Sequence, residues 1–284
     1  MRKRQTSISA LGIATVRALE SEKPEGERLY HDPYARQFIP GWMFGLIRLF
    51  DRMGYAERKG PGVMGFLRVR DRYIDDVLET HLAEGLAQLV VLGAGFDARA
   101  YRFPELKALR VFEVDHPASQ AAKTEKLRKI LGTLPPHVTY VGIDFLQQSL
   151  KQRLLESGYD PNARTLFIWQ GVTQYLTPEA VDETLAFVVS HSGARSGIVF
   201  DYIEPAVLAD AGAHGEIKRM RRFRWMSGES LTFGIPIAEA GAFLKARGYT
   251  DVVNVDGRWL ERRYFPDGKQ PVADHYGIAW ARVP

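Results

Sequence analysis

The chain has 284 residues, 45% hydrophobic and 25% charged, which is enough apolar material for a sizeable core and too much for a disordered chain. Its 38 basic and 34 acidic residues leave a formal charge of +4, too mild to signal a nucleic-acid partner. With no cysteine, disulfide frameworks, thiolate metal sites and cysteine nucleophiles are excluded.

The opening MRKR lacks an apolar stretch behind it: Thr6, Ser7 and Ser9 lead straight to Arg17 and Glu20. No secretory leader is therefore read. The greasiest stretch, Phe38 to Phe50, contains Pro40, two glycines and Arg48, and falls short of the roughly 20 apolar residues of a membrane span. The expectation is a cytoplasmic protein.

Residues 1–80 read as helices at Ser9–Glu20, Asp32–Ile39, Trp42–Met53 and Phe66–His81, the last with Val69, Tyr73, Val77 and Leu78 at helical spacing. From Gln88 the rhythm changes. Short β-type runs at 89–92, 109–114, 138–143, 165–169 and 197–203 alternate with helical stretches at 98–101, 119–131, 146–157 and 178–190. Strands apolar on both faces, alternating with helices, predict a mostly parallel sheet between two helix layers. After a helix at Ile237–Arg247, the runs Asp251–Val255 and Tyr276–Val283 have no clear helix between them, so they are expected to be antiparallel neighbours. The fold class is thus α/β, a doubly wound, mostly parallel seven-stranded Rossmann-like sheet with an antiparallel final strand. Residues 1–80 form a helical region on the core, 81–284 form the core itself, and 204–236 are an inserted cap over the substrate.

The first strand runs into Gly93-Ala94-Gly95-Phe96-Asp97-Ala98, a G-x-G-x-x-A turn of the kind that lets a ligand approach the backbone. The next strand ends in Asp115, twenty residues after Gly95, where a carboxylate can accept both hydrogen bonds of a ribose diol. His116 follows directly and is counted with Asp115 among the cofactor-binding residues. The third strand ends in Asp144 and Phe145, an acid for an adenine amino group and a ring to cover the base. A dehydrogenase has no ordinary use for that second acid. Capping of the following helices is the competing use of Asp115 and Asp144.

Several segments resemble one family: GAGFDARAYRF, VFEVDHPASQAAK, GIDF and FIWQGVTQYLTPEAVDETL, together with TSISALGIATVRALE and HDPYARQF near the start. They are similar to the leucine carboxyl methyltransferase-type family, with its class I S-adenosylmethionine-dependent enzymes and its bacterial small-molecule O-methyltransferase branch. The resemblance covers residues 6 to 190 and is looser beyond. It implies S-adenosylmethionine as cofactor and S-adenosylhomocysteine as product. By the same resemblance Arg17 and Arg70 hold the cofactor carboxylate, Gly93, Ala94 and Gly95 pass under its methionine portion, and Gln170 meets its amino group. The family commonly carries a glutamate where Gln170 stands, which implies that a charge facing an ammonium is lost here.

The implied activity is O-methylation of a carboxyl or a phenolic or alcoholic hydroxyl on a small apolar or aromatic acceptor. A carboxylate acceptor needs no base, whereas a hydroxyl does. The proton acceptors within reach of such a role are Tyr175, His31 and Tyr202, with His116 and Asp201 behind them. No metal is assigned, and no oligomeric state. The alternatives left open are a nicotinamide-dependent oxidoreductase, a protein-carboxyl methyltransferase, and an RNA methyltransferase or binding module using the basic run at 217–226, though no nucleic-acid partner is expected. Trp42, Met43, Phe44, Leu46 and Phe50 read either as the inner face of a helix or as an apolar roof over the acceptor.

Overall fold

The computed structural model describes residues 8–144, 148–208 and 231–284. Phe145, most of the 204–236 insertion and the basic run at 217–226 lie outside the described residues.

The helices are α1 (Ile8–Ser21), α2 (Gly41–Arg52), α3 (Tyr55–Lys59), α4 (Val63–Ala83), α5 (Arg99–Arg102), α6 (Pro117–Leu131), α7 (Leu150–Glu156), α8 (Pro178–Ser190), α9 (Ala240–Lys245) and α10 (Gly257–Tyr264). The strands are β1 (Gln88–Leu92), β2 (Arg110–Asp115), β3 (Val138–Gly142), β4 (Thr165–Trp169), β5 (Gly197–Ile203), β6 (Thr250–Asp256) and β7 (Tyr276–Arg282). They form one sheet in the order β3-β2-β1-β4-β5-β7-β6. Strands β1 to β5 pair in parallel, while β7 runs antiparallel to both β5 and β6. The expected seven-stranded sheet with an antiparallel final strand is the one observed.

The sheet is buried on both faces, which is why its strands carry no polar alternation. Leu89 and Val91 of β1 point into a cluster shared with α1, α4 and α6, including Ala14, Ala18, Phe66, Ile74 and Leu127. Val90 and Leu92 point the other way, toward α7, α8 and α9, where Leu154, Val181, Leu185 and Leu244 pack. Both layers leave the carboxyl ends of β1, β2, β4 and β5 at one edge of the core. No helix among the described residues is long and apolar enough to cross a membrane.

Three local expectations need correction. The segment from Asp32 to Ile39 is no α-helix but a 3-10 turn at Ala35–Phe38. The Asp32 carboxylate accepts the N–H groups of Tyr34 and Ala35 at 2.9 Å, closing a tight local turn. The connection between β6 and β7 is not helix-free: α10 starts where the Asp256 side chain accepts the Trp259 N–H at 2.7 Å, an N-cap. The helix expected over 237–247 is split, with a 3-10 turn at Ile237–Glu239 ahead of α9.

Candidate active site

The site grows from the turn after β1. Gly93 sits at φ +66, and a Cβ there would lie 2.4 Å from Val172 Cγ2, so neither the backbone nor the neighbour admits a side chain. The Gly93 and Ala94 N–H groups both donate to Val114 O, at 2.8 and 3.0 Å, binding the turn to β2. From β2 the Asp115 carboxylate reaches back: Oδ2 accepts the Gly95 N–H and Oδ1 the His116 N–H, each at 2.6 Å. Burial raises the Asp115 pKa against the opposing pull of these two N–H groups. Each carboxylate oxygen keeps a second lone pair for a ligand hydroxyl.

The helix after β2 is capped by His116, whose Nδ1 accepts the Ala118 N–H at 3.2 Å. Glu113, on the same strand face as Asp115, is buried against the Lys123 ammonium at 2.7 Å and accepts the Tyr101 hydroxyl at 2.8 Å. Asp144 is half-buried and exchanges two bonds with Gln148: its N–H donates to Oε1 at 3.1 Å and its carbonyl accepts the Gln148 N–H at 2.9 Å.

Arg70 comes from the middle of α4 and is 3% exposed. Its Nη1 donates to Asp201 Oδ2 on β5 at 2.6 Å. Asp201 Oδ1 accepts the Gly171 N–H at 2.5 Å, so one carboxylate ties α4 to the loop after β4. The other two donor nitrogens of Arg70, Nε and Nη2, are buried without a hydrogen-bond partner. An unpaired buried guanidinium edge is costly, and a bidentate carboxylate is the group that fits it best. The donors present therefore suit the carboxylate of an amino-acid-bearing cofactor.

Arg17, also 3% exposed, is differently engaged. Its Nη2 donates to the Phe96 carbonyl in the glycine turn, and its Nε lies 3.3 Å from Asp32 Oδ2. Its Nη1 stands 3.9 Å from Asp71 Oδ1. Ala10 of the same helix comes within 3.4 Å of where a Gly95 Cβ would be, so α1 closes over the turn.

Beside it lies a hub that sequence reasoning passed over. Arg99, 1% exposed, donates from Nε to Asp75 Oδ1 at 2.7 Å, from Nη1 to Asp97 Oδ2, and from Nη2 to Asp71 Oδ1 at 3.3 Å. The same Nη1 donates to Gln170 Oε1 at 2.9 Å. Burial alone would raise the Asp97 pKa, but Arg99 and Arg17 hold its carboxyl far below the ordinary range. Arg17, Arg99 and Arg102 here face Asp32, Asp71, Asp75 and Asp97, three positive charges against four negative ones. Arg70 and Lys123 also act on Asp71 and Asp97, and Arg99 links this charge cluster to Gln170. The signal available in the sequence was the acid and base of GFDAR, directly after the glycine turn.

Of the proton-acceptor candidates, Tyr175 lies in a 3-10 turn at Thr173–Tyr175 just past β4 and is 36% exposed. Tyr276 of β7, its hydroxyl pKa raised by burial, feels Arg70, Tyr175 and Asp201, so these four groups share one corner. Tyr202 points to the opposite side of β5. It is 1% exposed, with its hydroxyl donating to Asn254 Oδ1 at 2.6 Å. His31 is on the surface, in the stretch between α1 and the 3-10 turn. Asp201 is committed to Arg70 and Gly171, which leaves it a holding rather than a proton-accepting role. Past the undescribed stretch, the Thr232 N–H donates to Gln174 O at 2.8 Å, returning the insertion to the loop that carries Tyr175.

The family profile described as Leucine carboxyl methyltransferase matches residues 10–189. A Bacillus subtilis (strain 168) protein named "Putative S-adenosyl-L-methionine-dependent methyltransferase YktD" is 35% identical over 180 residues, 63% of this chain and 59% of that protein. A Streptomyces coelicolor protein named "Putative S-adenosyl-L-methionine-dependent methyltransferase SCO7813" is 35% identical over 193 residues, 67% of each. The similarity therefore spans about three fifths to two thirds of these relatives' lengths. A solved Streptomyces avermitilis structure, described as a duf574 family protein, superposes with a TM-score of 0.61 over 99% of this chain and all of its own, at 15% identity, and supports the fold.

Proposed function

Because the chain belongs to the leucine carboxyl methyltransferase family, we propose that it is a cytoplasmic S-adenosylmethionine-dependent methyltransferase acting on an oxygen of a small apolar or aromatic molecule. The observation that carries the cofactor assignment is Arg70, a buried guanidinium beside Gly171 in the loop after β4, with Nε and Nη2 unpartnered. The cofactor brings an electrophilic methyl group on a sulfonium, so the protein's work is to bind, orient and exclude water.

In this reading Arg70 takes the methionine carboxylate, and Asp97 with Gln170 takes the ammonium. Asp115 accepts the ribose hydroxyls while holding the Gly95 N–H. Asp144 and Phe145 take the adenine. Arg17 acts one step back, fixing α1 onto the Phe96 carbonyl. The oxygen acceptor is read from the family and from the corner that Tyr175 shares with Arg70, Asp201 and Tyr276. A carboxylate acceptor would be ionised already and would need only alignment. A phenol would have Tyr175 as its nearest candidate partner. Residues 1–80 and 204–236 serve as the roof of the acceptor pocket.

Calorimetry with S-adenosylhomocysteine and with NADH tests the cofactor assignment: binding of the first and not the second is expected, and the reverse overturns it. Methyl transfer from labelled S-adenosylmethionine to aromatic acids and to the matching phenols then separates the acceptor classes. Methylation confined to amines or thiols would refute the oxygen assignment.

A further inference from the structure

Helix α2 divides its surface in an uncommon way. At 100° per residue, Trp42, Leu46, Leu49, Phe50 and Met53 fall within one arc about 100° wide. All five face solvent, at 76%, 47%, 54%, 41% and 49% exposure. The buried side is anchored by Phe44, over whose ring the Arg36 guanidinium sits at 4.5 Å. Tyr55 of α3, itself 48% exposed, brings its ring 5.5 Å from that of Phe50 and lengthens the strip. Single exposed apolar residues are ordinary, but a contiguous strip of six marks an interaction surface.

The charges around the strip are sorted by sign. Arg48 and Arg52 flank it on α2, and Lys59 follows on α3, all three exposed. The acids of the same segment turn away: Asp51 lies 3.7 Å from Arg68 of α4, and Glu57 accepts the Gly62 N–H at 2.6 Å. Glu22 lies 3.4 Å from Arg48 at the edge of this flank.

We propose that the α2–α3 face binds the surface of a lipid bilayer bearing anionic headgroups. The strip from Trp42 to Met53 enters the boundary of the acyl region, with the helix lying in the membrane plane. Arg48, Arg52 and Lys59 meet headgroup phosphates. A second copy of the chain is the less favoured occupant. A symmetric pairing of two such strips brings the same arginine flanks together, whereas anionic headgroups complement them. At 12 residues α2 is too short to span, so attachment is peripheral and reversible. This inference does not depend on the methyltransferase reading.

The test uses the full chain with vesicles of phosphatidylcholine alone and with phosphatidylglycerol added. Pelleting with the anionic vesicles is expected, together with a blue shift of tryptophan emission that Trp42→Phe removes. The paired change Leu46→Gln with Leu49→Gln, at positions already in solvent, should leave the melting temperature unchanged and weaken vesicle binding roughly tenfold or more. Arg48→Glu with Arg52→Glu should weaken it by a similar factor and remove its salt dependence in large part. Absence of pelleting with anionic vesicles overturns the proposal, as does pelleting that survives the Leu46/Leu49 change. A dimer in sedimentation equilibrium that this change dissociates, without vesicle binding, overturns it in favour of a self-interface.

Discussion

Arg70 and Asp201 join α4 to β5 across the site, and their coupling can be measured. Both side chains are 3% exposed and the ion pair is 2.6 Å long. With charge centres about 4 Å apart and an effective dielectric near 20, their attraction is about 4 kcal/mol before desolvation is counted. Arg70→Met leaves Asp201 buried with the Gly171 N–H as its remaining side-chain partner, and Asp201→Leu leaves Arg70 without its hydrogen-bonded carboxylate. Each single change should cost about 3–5 kcal/mol, because it strands a charge rather than merely removing a bond. At roughly 2 °C per kcal/mol for a chain of this size, either variant melts some 6–10 °C lower. The double variant buries neither charge, so it should recover about 2–3 kcal/mol relative to the sum of the two. Melting curves of the four proteins give the cycle directly. Additivity within about 0.5 kcal/mol would refute the ion pair as the tie between these elements. In the same set, Arg70→Met should weaken S-adenosylhomocysteine binding by about 2 kcal/mol, through loss of the charge-assisted bonds from Nε and Nη2. A variant that keeps full affinity would remove Arg70 from the cofactor site.

Four further outcomes are expected. Asp115→Asn places an amide N–H₂ against the N–H of Gly95 or of His116, so calorimetry should show S-adenosylhomocysteine binding weakened by about 1–3 kcal/mol. Gln170→Glu gives the Arg99 Nη1 a charged acceptor and the cofactor ammonium a charge to face; binding should tighten by on the order of 1 kcal/mol, and no gain in a titration would detach Gln170 from the cofactor. Tyr202→Phe should lower stability by about 1 kcal/mol through the lost bond to Asn254 and leave turnover within twofold, whereas a large loss of turnover would restore Tyr202 as a catalytic candidate. Buried His81 has its pKa lowered from 6.5 to about 4, chiefly by desolvation, so the unfolded chain binds the proton more readily. Its contribution is therefore complete above pH 6.5 and is lost as pH falls toward 4; a His81→Gln variant should show a flatter stability profile across that window, and an equally steep one would refute the assignment.

The sheet could be read from the sequence because its strands are buried on both faces. LVVL and TLFIW have no polar alternation and could not be surface strands. The antiparallel end was legible from Asp251–Val255 and Tyr276–Val283. Helix α10 was not, since GRWLERRY surrounds its few apolar residues with charge, and its start rests on one capping carboxylate, Asp256. Helix α3 has five residues between Gly54 and Gly60, too few for a periodicity to register. The turn residues and Asp115 announced themselves by local spacing. The hub did not, because Arg99 finds Asp75 on α4 and Gln170 after β4, and no pattern along the chain encodes a charge paired across three elements. In the sequence Asp201 reads only as a possible proton acceptor. Its bonds to Arg70 and Gly171 depend on where α4 crosses the sheet.

The position of β7 bears on how the chain comes off the ribosome. This late segment is an interior strand, inserted between β5 and β6. Until residues 276–282 emerge, β5 presents an unpaired edge from Gly197 to Ile203, seven residues buried in the finished protein. Nascent intermediates therefore carry an open template for pairing with other chains. Sheet completion waits on a contact between Gly197 and Arg282, distant in sequence and slow to form. Shortening the chain within β7 should accordingly convert soluble expression into aggregation rather than yield a smaller folded protein.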